Sequence, residues 1–177
     1  MAAVKNERAT MFVSTEAAER QLDRLLGFFP RIDAKVSALT AMTFGQIAVA
    51  ALNLEANDFK KWWIAGPAGF FALSVFWTAL HLYKCAYPHL KGGEGSLIYF
   101  GEISKFQELE FVSRFSEVTD KELKSDIAAQ IWRNSQVLTF KYDFLKRATL
   151  GSIISVIPWT ALVCITSLTH LKIPGSS

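Results

Sequence analysis

The sequence predicts an all-α integral membrane protein: a helical hairpin of two spans, a third C-terminal span, and a cytoplasmic helical region. Three observations predict it. Hydrophobic residues fill 51% of the 177 positions. Charged residues, 20% of the chain, fall into blocks separated by long neutral runs. No segment shows the period-two alternation of a half-buried strand.

The first neutral run, Val36 to Leu54, is bracketed by Lys35 and Glu55, and its nineteen residues reach roughly 28 Å as a helix. The second, Trp62 to Tyr83, follows Lys60 and Lys61 and ends at Lys84. Pro67 falls in its first turns, where a missing N–H costs least. Trp62, Trp63 and Tyr83 occupy its ends, as an interfacial aromatic belt requires. Only seven residues join the two runs, so they form an antiparallel hairpin. The third run, Ala148 to Leu171, is uncharged over twenty-four residues and contains Pro158 and several Ser and Thr. A buried helix of a soluble domain is the competing reading. The missing charge, with Lys146 and Arg147 before the run and Lys172 after it, favours a span.

The expected organisation is a cytoplasmic N-terminal helix (1–35), span one (36–54), an outer loop (55–61), span two (62–83), a cytoplasmic helical region (84–147), span three (148–171) and an outer tail (172–177). Orientation follows from the basic residues. Arg20, Arg24, Arg31, Lys35, Lys84, Lys91, Arg133, Lys141, Lys146 and Arg147 lie on one side, and only Lys60, Lys61 and Lys172 on the other. The positive-inside rule makes the first side cytoplasmic. Met1 to Ser14 lacks the apolar core of a secretory signal, so the mature chain is expected to begin near Met1.

In the N-terminal segment, Ala18, Leu22, Leu25, Phe29, Ile32 and Val36 recur at helical spacing, and Pro30 is expected to kink or break that helix. Lys91-Gly92-Gly93-Glu94-Gly95 forms a turn, after which Ser96 is the expected N-cap of a helix reaching about Val118. Thr119 and Glu122 have capping-box spacing and start a helix that continues through Arg147, with Ile127, Ile131, Leu138 and Leu145 on one stripe.

Two polar residues interrupt that stripe. Asn134 and Lys141 share it, and Gln130 lies one turn before Asn134, so the two amides can address a nucleobase edge and Lys141 a phosphate. The plainer alternative is a register device, as single polar residues are in coiled coils, or a lysine snorkelling to solvent. Arg31, Asp33 and Lys35 form a second charged group before the first span: the cations suit a lipid or ligand phosphate, and Asp33 suits a nearby cation or a ribose hydroxyl. Positive-inside anchoring with a surface ion pair explains this group equally well. The Gly-rich stretch lacks a P-loop ending and reads as a turn.

Gln46, Asn53 and His81 are the intramembrane polar residues, expected to face partner helices or a water path. With no carboxylate in any span, a proton relay or cation pump is not expected. His81, His89 and His170 are dispersed, and no catalytic or metal-ligand set assembles, so neither an enzyme nor a metal site is expected. Cys85 and Cys164 lack framework spacing and are expected to be reduced. A net charge of +3 without a continuous basic patch argues against nucleic-acid binding.

The set formed by IDAK at Ile32 to Lys35, SLIYFGEI at Ser96 to Ile103 and QIWRNSQVLTFKYDFLKRA at Gln130 to Ala148, around a hairpin and before a third apolar run, resembles the transmembrane effector family of the Pycsar antiphage systems. The resemblance covers roughly Glu16 to Leu171. It implies a bacterial inner-membrane protein, expected to be a homo-oligomer, that works beside a pyrimidine nucleotide cyclase. Cyclic CMP or cyclic UMP activates such an effector, which then impairs the membrane and stops growth before the phage completes its cycle. No separate β-barrel nucleotide domain is present, so the helices must build the ligand site. A structural or assembly subunit of a membrane complex is the alternative reading.

Overall fold

A computed structural model describes residues 14–87 and 93–170. Expectations for the N-terminal tail, for His89, Lys91 and Gly92, and for the last residues lie outside that range. The described residues contain six α-helices and no strand: α1 (Thr15–Leu26), α2 (Phe29–Asn53), α3 (Trp62–Ala86), α4 (Phe100–Ile103), α5 (Glu108–Glu117) and α6 (Asp120–His170). They divide into two compact units. The first holds residues up to Gly27 and Lys91–Ser135, and the second Phe28–Leu90 and Gln136–Ser177.

In the first unit, Ser14 caps α1, its hydroxyl accepting from the Ala17 N–H at 3.2 Å. Pro30 breaks the N-terminal helix, as expected: α1 stops before Gly27, and α2 begins with Pro30 in its first turn, where its missing N–H costs nothing. Ala18 and Leu22 pack with Ile127, and Ile98, Leu123 and Ile131 close over them.

The expected helix from Ser96 to Val118 is not one helix. Ser96 instead turns the chain, its hydroxyl oxygen accepting from the N–H groups of Ile98 (3.2 Å) and Tyr99 (3.0 Å). The four-residue α4 then ends in tight turns from Glu102 to Lys105 and Ile103 to Phe106, and a separate α5 begins at Glu108. Long-range bonds to Ser96, described below, hold the 96–99 backbone away from helical geometry.

The capping box forms as read. The Thr119 N–H donates to Glu122 Oε2 at 2.9 Å, and the Glu122 N–H donates to Thr119 Oγ1 at 3.3 Å. The Thr119 hydroxyl also donates to Glu122 Oε2, at 2.7 Å. The two bonds that the carboxylate accepts from Thr119, backbone N–H first and hydroxyl second, hold the Glu122 carboxyl below the usual carboxylate range. A depressed folded-state pKa contributes stability above the unfolded-state pKa, and that contribution is lost as pH falls through the folded value. Amide protection factors at the start of α6, corrected for intrinsic exchange, should therefore fall on acidification below about pH 4, and Glu122→Gln should remove most of that pH dependence. A first turn whose protection shows the same acid dependence in both proteins would contradict the assignment.

The second unit contains the apolar segments, and α2, α3 and α6 are each long and apolar enough to cross a membrane. Its side-chain distribution is that of a lipid-exposed body. Phe44, Leu73, Phe76 and Ile157 are exposed, while Gln46, Thr78, Ser152 and Ser155 are buried. The hydroxyls are satisfied locally, as a medium without water demands: Thr43 donates to the Leu39 carbonyl, Ser74 to Phe70 and Thr78 to Ser74, each within 2.9 Å. Ala50, Ile64, Ala68, Phe71 and Leu162 form one core cluster, and Ile32, Cys85 and Leu145 form a second.

Pro67 departs from expectation. It is the sixth residue of α3, beyond the four positions whose N–H groups are free in any helix, so it removes a bond that the Trp63 carbonyl would accept. In the connection, a 3₁₀ turn at Asp58–Lys60 buries the Asp58 carboxylate, which accepts from the Glu55 N–H at 3.1 Å and from Lys61 Nζ at 3.2 Å.

Three side-chain bonds tie α6 to α2 within the apolar region, one of them from Ser152 Oγ to Met42 Sδ at 3.8 Å. Ser155 Oγ donates to Gln46 Oε1, and Trp159 Nε1 donates to the Gln46 carbonyl, both at 3.0 Å. His81 Nδ1 instead donates to the Trp77 carbonyl at 2.8 Å.

Candidate functional site

The polar residues singled out in the sequence fall into both units. In the first unit, Gln130 is buried and its Nε2 donates to Ser96 Oγ at 3.0 Å. Ser96 Oγ in turn donates to Asp126 Oδ2 at 3.0 Å, and the Leu97 N–H donates to the same oxygen at 2.8 Å. Ser96 thus joins the 93–99 turn to α6 through two residues one helical turn apart. The preceding Gly95 has φ +74°, a left-handed conformation that glycine adopts without strain.

The Gly95 N–H donates to Glu102 Oε2 at 3.3 Å, and Lys105 Nζ lies 2.5 Å from Glu102 Oε1. The Lys105 hydrogen bond, with the Gly95 N–H adding to it, holds the Glu102 carboxyl below its ordinary range, and the same pair raises Lys105. Arg133 lies against Gly93, so closely that a Cβ there would overlap the guanidinium, and its Nη1 is buried without a hydrogen bond. Asn134 Nδ2 donates to the Gln130 carbonyl at 2.9 Å. In this arrangement the Gln130 Nε2 group serves the turn and the Asn134 Nδ2 group serves its own helix. A cavity of about 600 Å³ beside the turn is lined by Glu94, Glu117, Glu122 and Asp126 with Arg114 as its cation. Four carboxylates against one guanidinium disfavour a phosphate there.

In the second unit, the structure brings Lys141 and Asp33 together. Lys141 Nζ lies 2.6 Å from Asp33 Oδ1, with the lysine side chain 7% and the aspartate 57% exposed. The ammonium also sits 5.8 Å from the Phe29 ring centroid. The Lys141 carbonyl accepts the Cys85 S–H at 3.3 Å, so this level of α6 contacts both α2 and α3. Arg31 is exposed, its guanidinium 5.5 Å from the Phe28 ring centroid, and Lys35 is exposed. At about 100° per residue, Arg31 and Lys35 each lie roughly 200° around α2 from Asp33. The helix therefore separates them from the Asp33–Lys141 pair.

Asp33 and Lys141 should respond differently to substitution. Asp33→Ala leaves a buried ammonium without its counter-ion and should cost about 1–3 kcal/mol, below the fully buried limit because Asp33 is half exposed. Lys141→Met removes the charge with its need for a partner and should be close to neutral. Thermal denaturation in detergent would measure both, and equal losses would contradict a buried-cation account.

A family model described as the Pycsar effector protein domain matches residues 17–168. The chain belongs to the Pycsar effector family. No curated protein and no solved structure matches it. The matched segment begins in α1 and ends in the last turn of α6, so it covers both units and all six candidate residues, Arg31, Asp33, Lys35, Gln130, Asn134 and Lys141. Family membership, with three helices long and apolar enough to cross a membrane, makes this chain a membrane effector of a Pycsar antiphage system, set in a cyclic-nucleotide signalling context.

Sequence reasoning about this Pycsar effector missed three partners: Ser96 and Asp126 around Gln130, and Asp33 for Lys141. Asp126 carried a usable signal, because it lies four residues before Gln130 on one face of α6, whereas Ser96 lies 34 residues from Gln130. The third pair is separated by 108 residues, and no local pattern joins them.

Proposed function

We propose that this effector is activated by cyclic CMP or cyclic UMP and then impairs the bacterial inner membrane, so that an infected cell stops growing before phage are released. The reading is carried by the family match over a three-helix body that is apolar outside and holds buried polar side chains among its apolar core clusters. Activation requires that the nucleotide bind one arrangement more tightly than another, since equal affinity shifts no population. Gln130 and Asn134 are the candidates for reading the base. Lys141 is the candidate for the phosphate, with Arg31 and Lys35, on the other side of α2, as the alternative, and Asp33 is the candidate for a ribose hydroxyl or the counter-ion that the phosphate replaces.

Calorimetric titration of the purified protein in detergent with cyclic CMP and cyclic UMP tests this. Saturable binding of one of them is expected, with at least about tenfold weaker binding by Asn134→Ala and by Lys141→Ala. No binding of either nucleotide, with the protein folded, would sink the reading and favour an assembly subunit.

The orientation we propose has the N-terminus and the 84–147 segment in the cytoplasm and the C-terminus in the periplasm, from ten basic residues near the span ends against three. A reporter fused after Ser177 should then be periplasmic and one inserted at Gly93 cytoplasmic. Two cytoplasmic reporters would contradict this arrangement.

A further inference from the structure

Two cations from different helices converge on one aromatic ring in the second unit. Lys84 Nζ lies 5.6 Å from the Phe144 ring centroid, and the guanidinium carbon of Arg147 lies 5.8 Å from it. Lys84 is in the last turn of α3 and Arg147 is on α6, and both side chains are exposed while Phe144 is half-buried. Among the described residues neither cation takes part in an ion pair. A phenyl face attracts each cation only weakly in the open and does nothing to relieve the repulsion between them. An anion shared by both would.

The position of the pair says which anion. Lys84 is the first charge after the neutral run of α3, and Arg147 is the last before the neutral run of α6. The two helices are fixed at this level by the Cys85 thiol bonded to the Lys141 carbonyl and by the His81 ring 5.8 Å from Phe144. Both cations therefore mark the same edge of the hydrocarbon layer. Tyr83 and Tyr87, exposed and with ring centroids 5.2 Å apart, flank Lys84 as headgroup-level aromatics do. Toward the bilayer interior, Leu80 and Leu150 are exposed on the same two helices and offer an apolar path for acyl chains.

We infer that Lys84, Arg147 and Phe144 form a binding site for the phosphodiester of an anionic phospholipid headgroup. A phosphodiester offers two non-bridging oxygens, one for each cation, and basic sites between spanning helices take acidic headgroups in this way. The inference does not rest on nucleotide activation, and its test separates the two.

The full-length protein, delipidated in mild detergent, is exposed to equimolar phosphatidylglycerol and phosphatidylcholine, and retained lipid is counted by native mass spectrometry. Wild type should retain phosphatidylglycerol preferentially. The Lys84→Gln/Arg147→Gln double variant should lose that preference on the order of thirtyfold, and each single variant about fivefold, from the share that each basic residue contributes near a membrane surface. Lys84→Arg/Arg147→Lys should keep most of it, as should Lys146→Gln at a neighbouring exposed cation. Should the double variant fail to show a wild-type helical spectrum, the single variants carry the test. Equal retention of both lipids by wild type, or an unchanged preference in folded variants, would overturn the site. Inorganic phosphate and cyclic CMP, titrated without lipid, form the second arm. Binding of either that disappears in the double variant would reassign the site to a soluble phosphate and overturn the lipid reading.

Discussion

Ala50→Arg should abolish protection against phage without changing the level of the nucleotide proposed to activate the effector. Ala50 is 4% exposed and packs among Ile64, Ala68, Phe71 and Leu162. A guanidinium at the centre of a span costs about 2.5–3.5 kcal/mol, and Ala50 lies nearer the end of α2, so the charge alone costs less. Burial restores the effect, because the side chain cannot leave the cluster without prising α2 from its neighbours, and overpacking adds about 1–3 kcal/mol. Membrane fractionation and plaque counts would follow the two consequences together. Full protection by a variant that no longer fractionates with membrane would refute a membrane mechanism.

Gly151→Leu should be the second large effect, and it isolates helix contact from charge. A Cβ at Gly151 would stand 2.6 Å from Thr78 Oγ1 and 2.9 Å from Trp77 Cδ1, so any side chain there must push α6 from α3. Close approach over small residues is what holds spanning helices together, because lipid supplies no hydrophobic force between them. Thermal denaturation in detergent should show a loss of about 1–3 kcal/mol or more. Gly45→Leu provides the comparison, since a Cβ at Gly45 meets nothing within 4 Å and the added side chain faces lipid. Helix propensity favours leucine over glycine at both positions, so equal losses at the two glycines would mean that the α3 contact does not decide the outcome.

The two positions show how unevenly the fold is written along the chain. Gly45 and Gly151 lie in similar apolar runs, and nothing in the flanking residues distinguishes the open glycine from the one pressed against a neighbouring helix. Gln46 was recognisable as an intramembrane polar residue, but its donors, Ser155 and Trp159, lie more than a hundred positions away. The break at Pro30 and the capping box at Thr119 were legible because each acts within a few residues, through a missing N–H in one case and a reciprocal pair of bonds in the other. The break between α4 and α5 was not, since it carries no Gly or Pro. Nor was the 96–99 turn, which Ser96 holds through Asp126 and Gln130, thirty or more positions away.

The candidate site divides in the same way. The sequence by itself determined that Asn134 and Lys141 sit on an otherwise aliphatic stripe, because a helical period is a local property of the chain. It also determined the three apolar helices, since a run long enough to cross hydrocarbon with no charge needs no partner to be recognised. Only the tertiary structure decided what the polar residues touch: Lys141 faces Asp33, Gln130 faces Ser96, and Lys84 and Arg147 each approach the Phe144 ring. A side chain's own position fixes its chemistry and the face it occupies, whereas its partner is set by how separate helices pack, and packing depends on every residue at the contact at once.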